Sequence, residues 1–149
     1  MSRVRRYVLD TNVLISAFRD AAANDWLQAF HRAHAPGEHL SSVVIQELLA
    51  GMRSLEDRRK LERHWLHRFE VVQRVVTPSP LAWRRSGDVL RALRAREGLE
   101  LSRVSKSFGN DILIALSCRE AGMTLVTNDT VDFQRIAKVA PFEFVRSGL

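Results

Sequence analysis

Tyr7-Val8-Leu9-Asp10-Thr11-Asn12-Val13-Leu14-Ile15 is the stretch that decides the fold. Arg6-Tyr7-Val8-Leu9 reads as a short buried strand. Asp10-Thr11-Asn12 then opens a helical pattern over 13–18, so the chain turns from strand to helix at a carboxylate. In an open parallel sheet the C-terminal ends of the strands form the ligand crevice, and Asp10 is expected there.

The alternation of strand and helix continues outward from that turn. Asn24 is expected to cap a helix through Trp26, Leu27 and Phe30 that Pro36-Gly37 ends, with a strand over 39–41 after it. Ser42 reads as the cap of a helix over 43–52, and Ser54 with Asp57 as a capping box for 55–69. Residues 71–76 fit either a short strand or an extended connection. Ser79 and Pro80 set the cap and first position of a helix over 81–97 that Gly98 closes. Residues 100–109 read as a basic loop, Asn110 as the cap of 111–121, and Gly122 as its end. A strand over 124–127, a helix over 131–137 and a strand over 142–145 complete the chain. This order predicts an α/β/α sandwich with a mainly parallel sheet. At 149 residues, 46% of them hydrophobic, one domain spanning 1–149 is expected, without repeat or linker.

Composition excludes several classes. No apolar run approaches the roughly 20 residues that span a bilayer, and residues 1–7 lead into the first strand without the apolar core of a signal peptide, so a cytoplasmic protein is expected. The lone Cys118 has no disulfide partner within the chain and lies in an apolar helical run, where a small core residue is expected. The net charge of +6 is uneven. Residues 53–106 hold 14 Lys and Arg against 7 Asp and Glu, whereas the rest of the chain holds 9 basic and 10 acidic residues. A polyanion suits the basic region, although arginine-rich helices also serve as plain solvated faces.

Asp10, Glu47, Asp111 and Asp129 stand where a strand ends or a helix turns its apolar face inward. Asp10 and Asp129 each follow a short apolar strand, where capping a helix is the competing role. Glu47 shares its stripe with Val43, Val44, Leu48 and Gly51, unless it reaches out to water from the edge. Asp111 shares a face with Ile114, Ala115 and Cys118, and a place in the first helical turn would also favour an anion. Burying an ionised carboxylate is expensive unless it is paired or binds a metal, so acids aimed inward from separate places suggest one divalent cation site. Phosphodiester hydrolysis has a use for such a site, because the metal acidifies a water and offsets charge on the phosphate without a nucleophilic side chain.

These residues resemble the motifs of PIN-domain ribonucleases, and in particular the VapC-type toxins of bacterial toxin–antitoxin pairs. Asp10-Thr11-Asn12-Val13-Leu14-Ile15 is similar to the opening motif, and residues 42–48 to the second, which carries Glu47. Asn110-Asp111-Ile112-Leu113-Ile114-Ala115 resembles the third, and residues 125–129 followed by Asp132-Phe133 the fourth. The resemblance runs nearly end to end. It implies a Mg²⁺- or Mn²⁺-dependent endoribonuclease with Asp10, Glu47, Asp111 and Asp129 as ligands, an RNA substrate, a cognate antitoxin and a homodimer. Asp129 is taken as the fourth ligand and Asp132 as a supporting or structural residue. Thr11 and Thr127 are expected to orient the acids. Asn12 is expected to start the helix or touch substrate, and Arg103 and Lys106 to contact the RNA backbone.

Other residues carry less. His31 with His34, and His64 with His67, have a spacing zinc can use, but no further ligands stand nearby and solvated helix faces are expected. Trp26, Trp65 and Trp83 lie at apolar helical positions, where packing rather than base stacking is expected. Two rival readings stand beside the nuclease. A phosphatase resembling the haloacid dehalogenases would need an Asp where Asn12 stands, and a catalytically silent module would bind RNA or antitoxin without cleaving.

Overall fold

The computed structural model describes residues 3–148; Met1, Ser2 and Leu149, at the ends of the expected domain and of the segment read for a leader, lie outside them. Five strands, β1 (Tyr7–Leu9), β2 (Glu38–Ser41), β3 (Val75–Val76), β4 (Thr124–Thr127) and β5 (Phe144–Arg146), form one sheet in the order β3-β2-β1-β4-β5. Every pairing is parallel, with Val8 opposite His39 on one side and Leu125 on the other. The α/β/α sandwich read from the alternation is the architecture present.

Among the described residues eight α-helices connect the strands: α1 (Thr11–Arg19), α2 (Ala21–His34), α3 (Ser42–Ala50), α4 (Leu55–Leu61), α5 (His67–Val71), α6 (Pro80–Glu97), α7 (Lys106–Ala121) and α8 (Thr130–Val139). The crossover from β1 to β2 and the one from β4 to β5 leave the sheet centre in opposite directions. The right-handed rule for such crossovers therefore puts α1 and α2 on one face and α8 on the other. Accordingly α1 packs on α2, while α6, α7 and α8 pack together. Strand order reverses between β1 and β4, and the crevice beyond their C-terminal ends is where this class of sheet holds ligands.

The core explains why the short strands hold. Val8, Leu9, Leu40 and Leu125 from the sheet meet Leu14, Leu27, Val44, Leu48, Ile112, Ile114, Phe133 and Ile136 from the helices, all essentially inaccessible to water. Each such side chain contributes about 1.5–3 kcal/mol when fully buried. Cys118 is buried among them, and desolvation pushes its thiol up to about 12, which suits a packing residue. Among the described residues no helix is long and apolar enough to cross a membrane.

Several local expectations differ from what forms. Asp20, not Asn24, caps α2, its carboxylate accepting from Ala23 N at 2.8 Å, so the helix begins four residues earlier than Asn24 implies. Ser41, not Ser42, caps α3 through bonds from Val43 and Val44. Asn110 caps nothing: Ser105 accepts from Phe108 N at 3.0 Å and starts α7 at Lys106, because burying Phe108 draws that turn onto the core. The helix expected over 55–69 contains a π turn, Glu62–Leu66, which lets the adjacent Trp65 and Leu66 both face inward. His31 is buried rather than solvated and bonds Glu38 on β2. Trp83, read as a packing residue, is 59% exposed.

Gly37 enters β2 beneath the chain that leads into β1. A Cβ there would lie 2.1 Å from the Arg5 carbonyl oxygen, an approach that only backbone movement relieves. Gly37→Ala should therefore lower stability by about 1–3 kcal/mol, read as a drop in the urea midpoint; an unchanged midpoint would contradict this packing.

Candidate metal centre

Two adjacent strands deliver the first acids. The Asp10 amide extends the ladder onto β4 by donating to Val126 O at 2.9 Å, and the residue then caps α1. Its Oδ1 accepts from Thr11 N at 2.8 Å and its Oδ2 from the Thr127 hydroxyl at 2.7 Å. Burial, with repulsion from Glu47 and Asp129, outweighs these bonds and pushes its carboxyl up to about 6. Thr127 also accepts from Asp129 N at 3.0 Å, so one hydroxyl ties the ends of β1 and β4.

The remaining acids come from helices. Glu47 on α3 is half-buried and accepts from the Thr11 hydroxyl at 2.8 Å. Asp129 caps α8, its Oδ1 accepting from Val131 N and Asp132 N. Asp111 is the sixth residue of α7, beyond the first turn, so the favourable N-terminal dipole does not explain its charge. It is buried, and among the described residues no donor reaches its carboxylate. Burial first, and then Asp10, Glu47, Asp132 and Asp129, push it up to about 8.

One carboxylate oxygen from each of Asp111, Asp129 and Asp132 lies within 4.8 Å of the others. Asp10 and Glu47 border this trio and repel Asp111, but do not complete the same tight group. Asp132, expected to play a supporting part, thus stands among the convergent acids. Among the described residues the cluster offers carboxylate oxygens, the ligands that hard divalent cations choose, and Asp111, which receives no hydrogen bond from those residues, is the buried group such an ion would satisfy. These residues fit a hard divalent cation.

The other expected residues are dispersed. Asn12 accepts from Asn128 N at 3.1 Å, bracing the turn after β4. Arg103 is exposed and paired with Glu100 at 3.0 Å, and Lys106 is exposed at the start of α7. Arg135, which the motifs do not single out, bonds Asp132 at 3.0 Å. Its position three residues after an acid on one helix was the available signal.

The PIN domain family model matches residues 7–139. Among solved structures, a chain of the DNA-bound VapBC from Salmonella typhimurium shares 24% identity at a TM-score of 0.71, covering 96% of this chain and 98% of that one. A chain of VapBC2 from Rickettsia felis, bound to a DNA fragment from its promoter, shares 24% identity at 0.66 over 94% and 97%. A toxin–antitoxin complex from Klebsiella pneumoniae supplies a third, 23% identical at 0.51 over 92% and 98%. At these identities the likeness is one of fold. No curated protein matches the chain.

Raised carboxyl values set the sign of a pH effect. The folded state holds protons on Asp10 and Asp111 that the unfolded chain releases, so the stability these two groups contribute is fully present below about pH 4 and is lost as pH rises towards about 8. Metal-free protein should melt lower at about pH 8 than at about pH 5. Asp111→Asn should flatten that difference and raise Tm by several degrees at the higher pH. Thermal melts in chelator check this, and an Asp111→Asn protein that melts below wild type at the higher pH would refute it.

Proposed function

The chain belongs to the PIN domain family, and from that premise we propose that it is a metal-dependent endoribonuclease, the VapC-type toxin of a toxin–antitoxin pair. The observation that carries this reading is the convergence of Asp111, Asp129 and Asp132 oxygens beside Asp10 and Glu47 at the C-terminal end of a parallel sheet. Five acids gathered there repel one another, and although Asp10 and Asp129 also cap helices, no hydrogen bond from the described residues accounts for the burial of Asp111. When bound, a hard divalent cation would supply a more acidic water and offset the charge that develops on a scissile phosphate.

The side chains divide that work. Asp10, Glu47, Asp111 and Asp129 would hold Mg²⁺ or Mn²⁺. Thr127 keeps Asp10 turned towards the cluster and Thr11 does the same for Glu47, each through a single short bond. Asn12 acts at one remove, fixing the turn that carries Asp129. The basic stretch over 53–106, with Arg103 and Lys106 at its end, binds the RNA backbone through charge. The partner is a cognate antitoxin, in keeping with the complexes in which similar chains are found. The protein acts as one domain, in the cytoplasm and as a homodimer.

Asp10→Asn and Asp111→Asn should each abolish RNA cleavage and relieve growth arrest on expression while the far-UV circular dichroism stays native. EDTA should stop wild-type cleavage. Full activity in either variant, or in chelator, would refute the assignment and favour a different hydrolase. A wild-type chain that binds RNA but never cleaves it, with or without Mn²⁺, would favour the silent module. RNA affinity, measured on Asp111→Asn by anisotropy, should fall steeply with salt; flat salt dependence would remove the basic region from the interface.

A further inference from the structure

Arg135 makes more contacts at this site than a surface cation needs. Its Nη1 donates to Asp132 Oδ1 at 3.0 Å, while Nε and Nη2 donate to Glu97 Oε2 at 3.2 and 3.0 Å. The guanidinium carbon sits 4.6 Å from the centre of the Phe108 ring. Glu97 is the last residue of α6, and Phe108 lies on α7 one helical turn before Asp111. One planar group therefore joins α6, α7 and α8 at the edge of the acidic cluster.

Resting on the metal-site reading above, whose convergent acids include Asp132, we propose that Arg135 is the positioning residue that fixes the Asp132 carboxylate against the cation site. Oxygen bookkeeping supports it. Asp129 commits Oδ1 to the amides of α8, Asp132 commits Oδ1 to Arg135, and Asp111 commits neither. Each acid thus keeps an oxygen without a donor, and one from each already lies within 4.8 Å of the others. A half-buried aspartate on a first helical turn otherwise has rotamer freedom that ligation must remove.

The contribution of Arg135 is geometric rather than electrostatic. A bare guanidinium beside the cluster would repel a divalent cation, but Glu97 takes two of its bonds and offsets its charge. An ordinary exposed i, i+3 pair contributes little. Here the three side chains are about two-thirds buried, with 30–34% of each exposed, and the fork is stacked on an aromatic ring.

Mn²⁺ binding, followed by loss of the free-ion EPR signal, tests this without reference to cleavage. Asp132→Asn and Arg135→Met should each weaken Mn²⁺ binding about tenfold or more, the range that supporting partners of metal ligands produce. In the Asp132→Asn background Arg135→Met should have no further effect, because it acts through that carboxylate. Arg135→Lys keeps the stem over Phe108 but lacks the fork, and should also lose affinity; it is the variant to read if Arg135→Met melts. Wild-type affinity in the folded Arg135 variants, or a loss that persists undiminished in the Asp132→Asn background, overturns the inference. Wild-type protein that leaves the Mn²⁺ signal unchanged overturns the metal-site reading itself, and this inference with it.

Discussion

A carboxylate that is largely buried, receives no hydrogen bond from the described residues and faces four other acids is costly as an anion unless something positive shares its space, and Asp111 meets each of those conditions. At an effective dielectric constant near 20, two full charges at the 4.8 Å limit of the trio repel by about 3 kcal/mol. That is comparable to what burying one large apolar side chain contributes. The core of α7 therefore works against its own second turn: Ile112, Ile114, Ala115 and Cys118 pull the helix onto the sheet and carry Asp111 in with them. Protonation relieves the repulsion in the absence of metal, and a divalent cation relieves it more completely.

The topology decides where that conflict is placed. Because β1 and β4 are neighbours although 114 residues lie between Leu9 and Thr124, their ends meet at the switch point of the sheet. An acid just beyond each strand, Asp10 after β1 and Asp129 after β4, caps the following helix. The Thr127 hydroxyl joins the two ends, accepting from one backbone and donating to the other carboxylate. A sheet of short strands is thereby closed at its functional edge by side-chain bonds, while Gly37 closes it at the other edge through contact with Arg5.

Elements with strong punctuation were legible in the sequence. Ser79-Pro80 and Gly98 bound α6 where expected, since a fixed proline φ and a left-handed glycine leave few alternatives. Helix starts with several candidate caps were not. Serine, asparagine and aspartate each offer an accepting oxygen, and the choice between Ser105 and Asn110 was made by Phe108, whose buried ring lies under Arg135 of α8. The candidate site shows the same division. Asp10, Glu47, Asp111 and Asp129 stood out only as a set in apolar surroundings, each alone having a cap, an edge position or the helix dipole as a competing role. The inclusion of Asp132 did not stand out, because it depends on Arg135, and Arg135 is held by Glu97, 38 residues away in sequence. His31 was misread for a related reason, its partner Glu38 belonging to a strand whose edge only pairing defines.

Capping and metal holding were competing explanations for Asp10 and Asp129, and the geometry makes them compatible. A carboxylate has two oxygens and several lone pairs, so an amide bond at one oxygen leaves the other free and fixes its direction. Asp129 caps α8 through Oδ1 alone, and Asp10 receives one bond at each oxygen with acceptor capacity remaining. The cap supplies the rigidity that a ligand needs, since a side chain already held by its own helix loses little further freedom when an ion arrives. Asp111 has no such bond and is held by burial instead. The site thus joins acids fixed by hydrogen bonds to one fixed by packing, and the acid without a bond is the one whose charge the fold leaves unanswered.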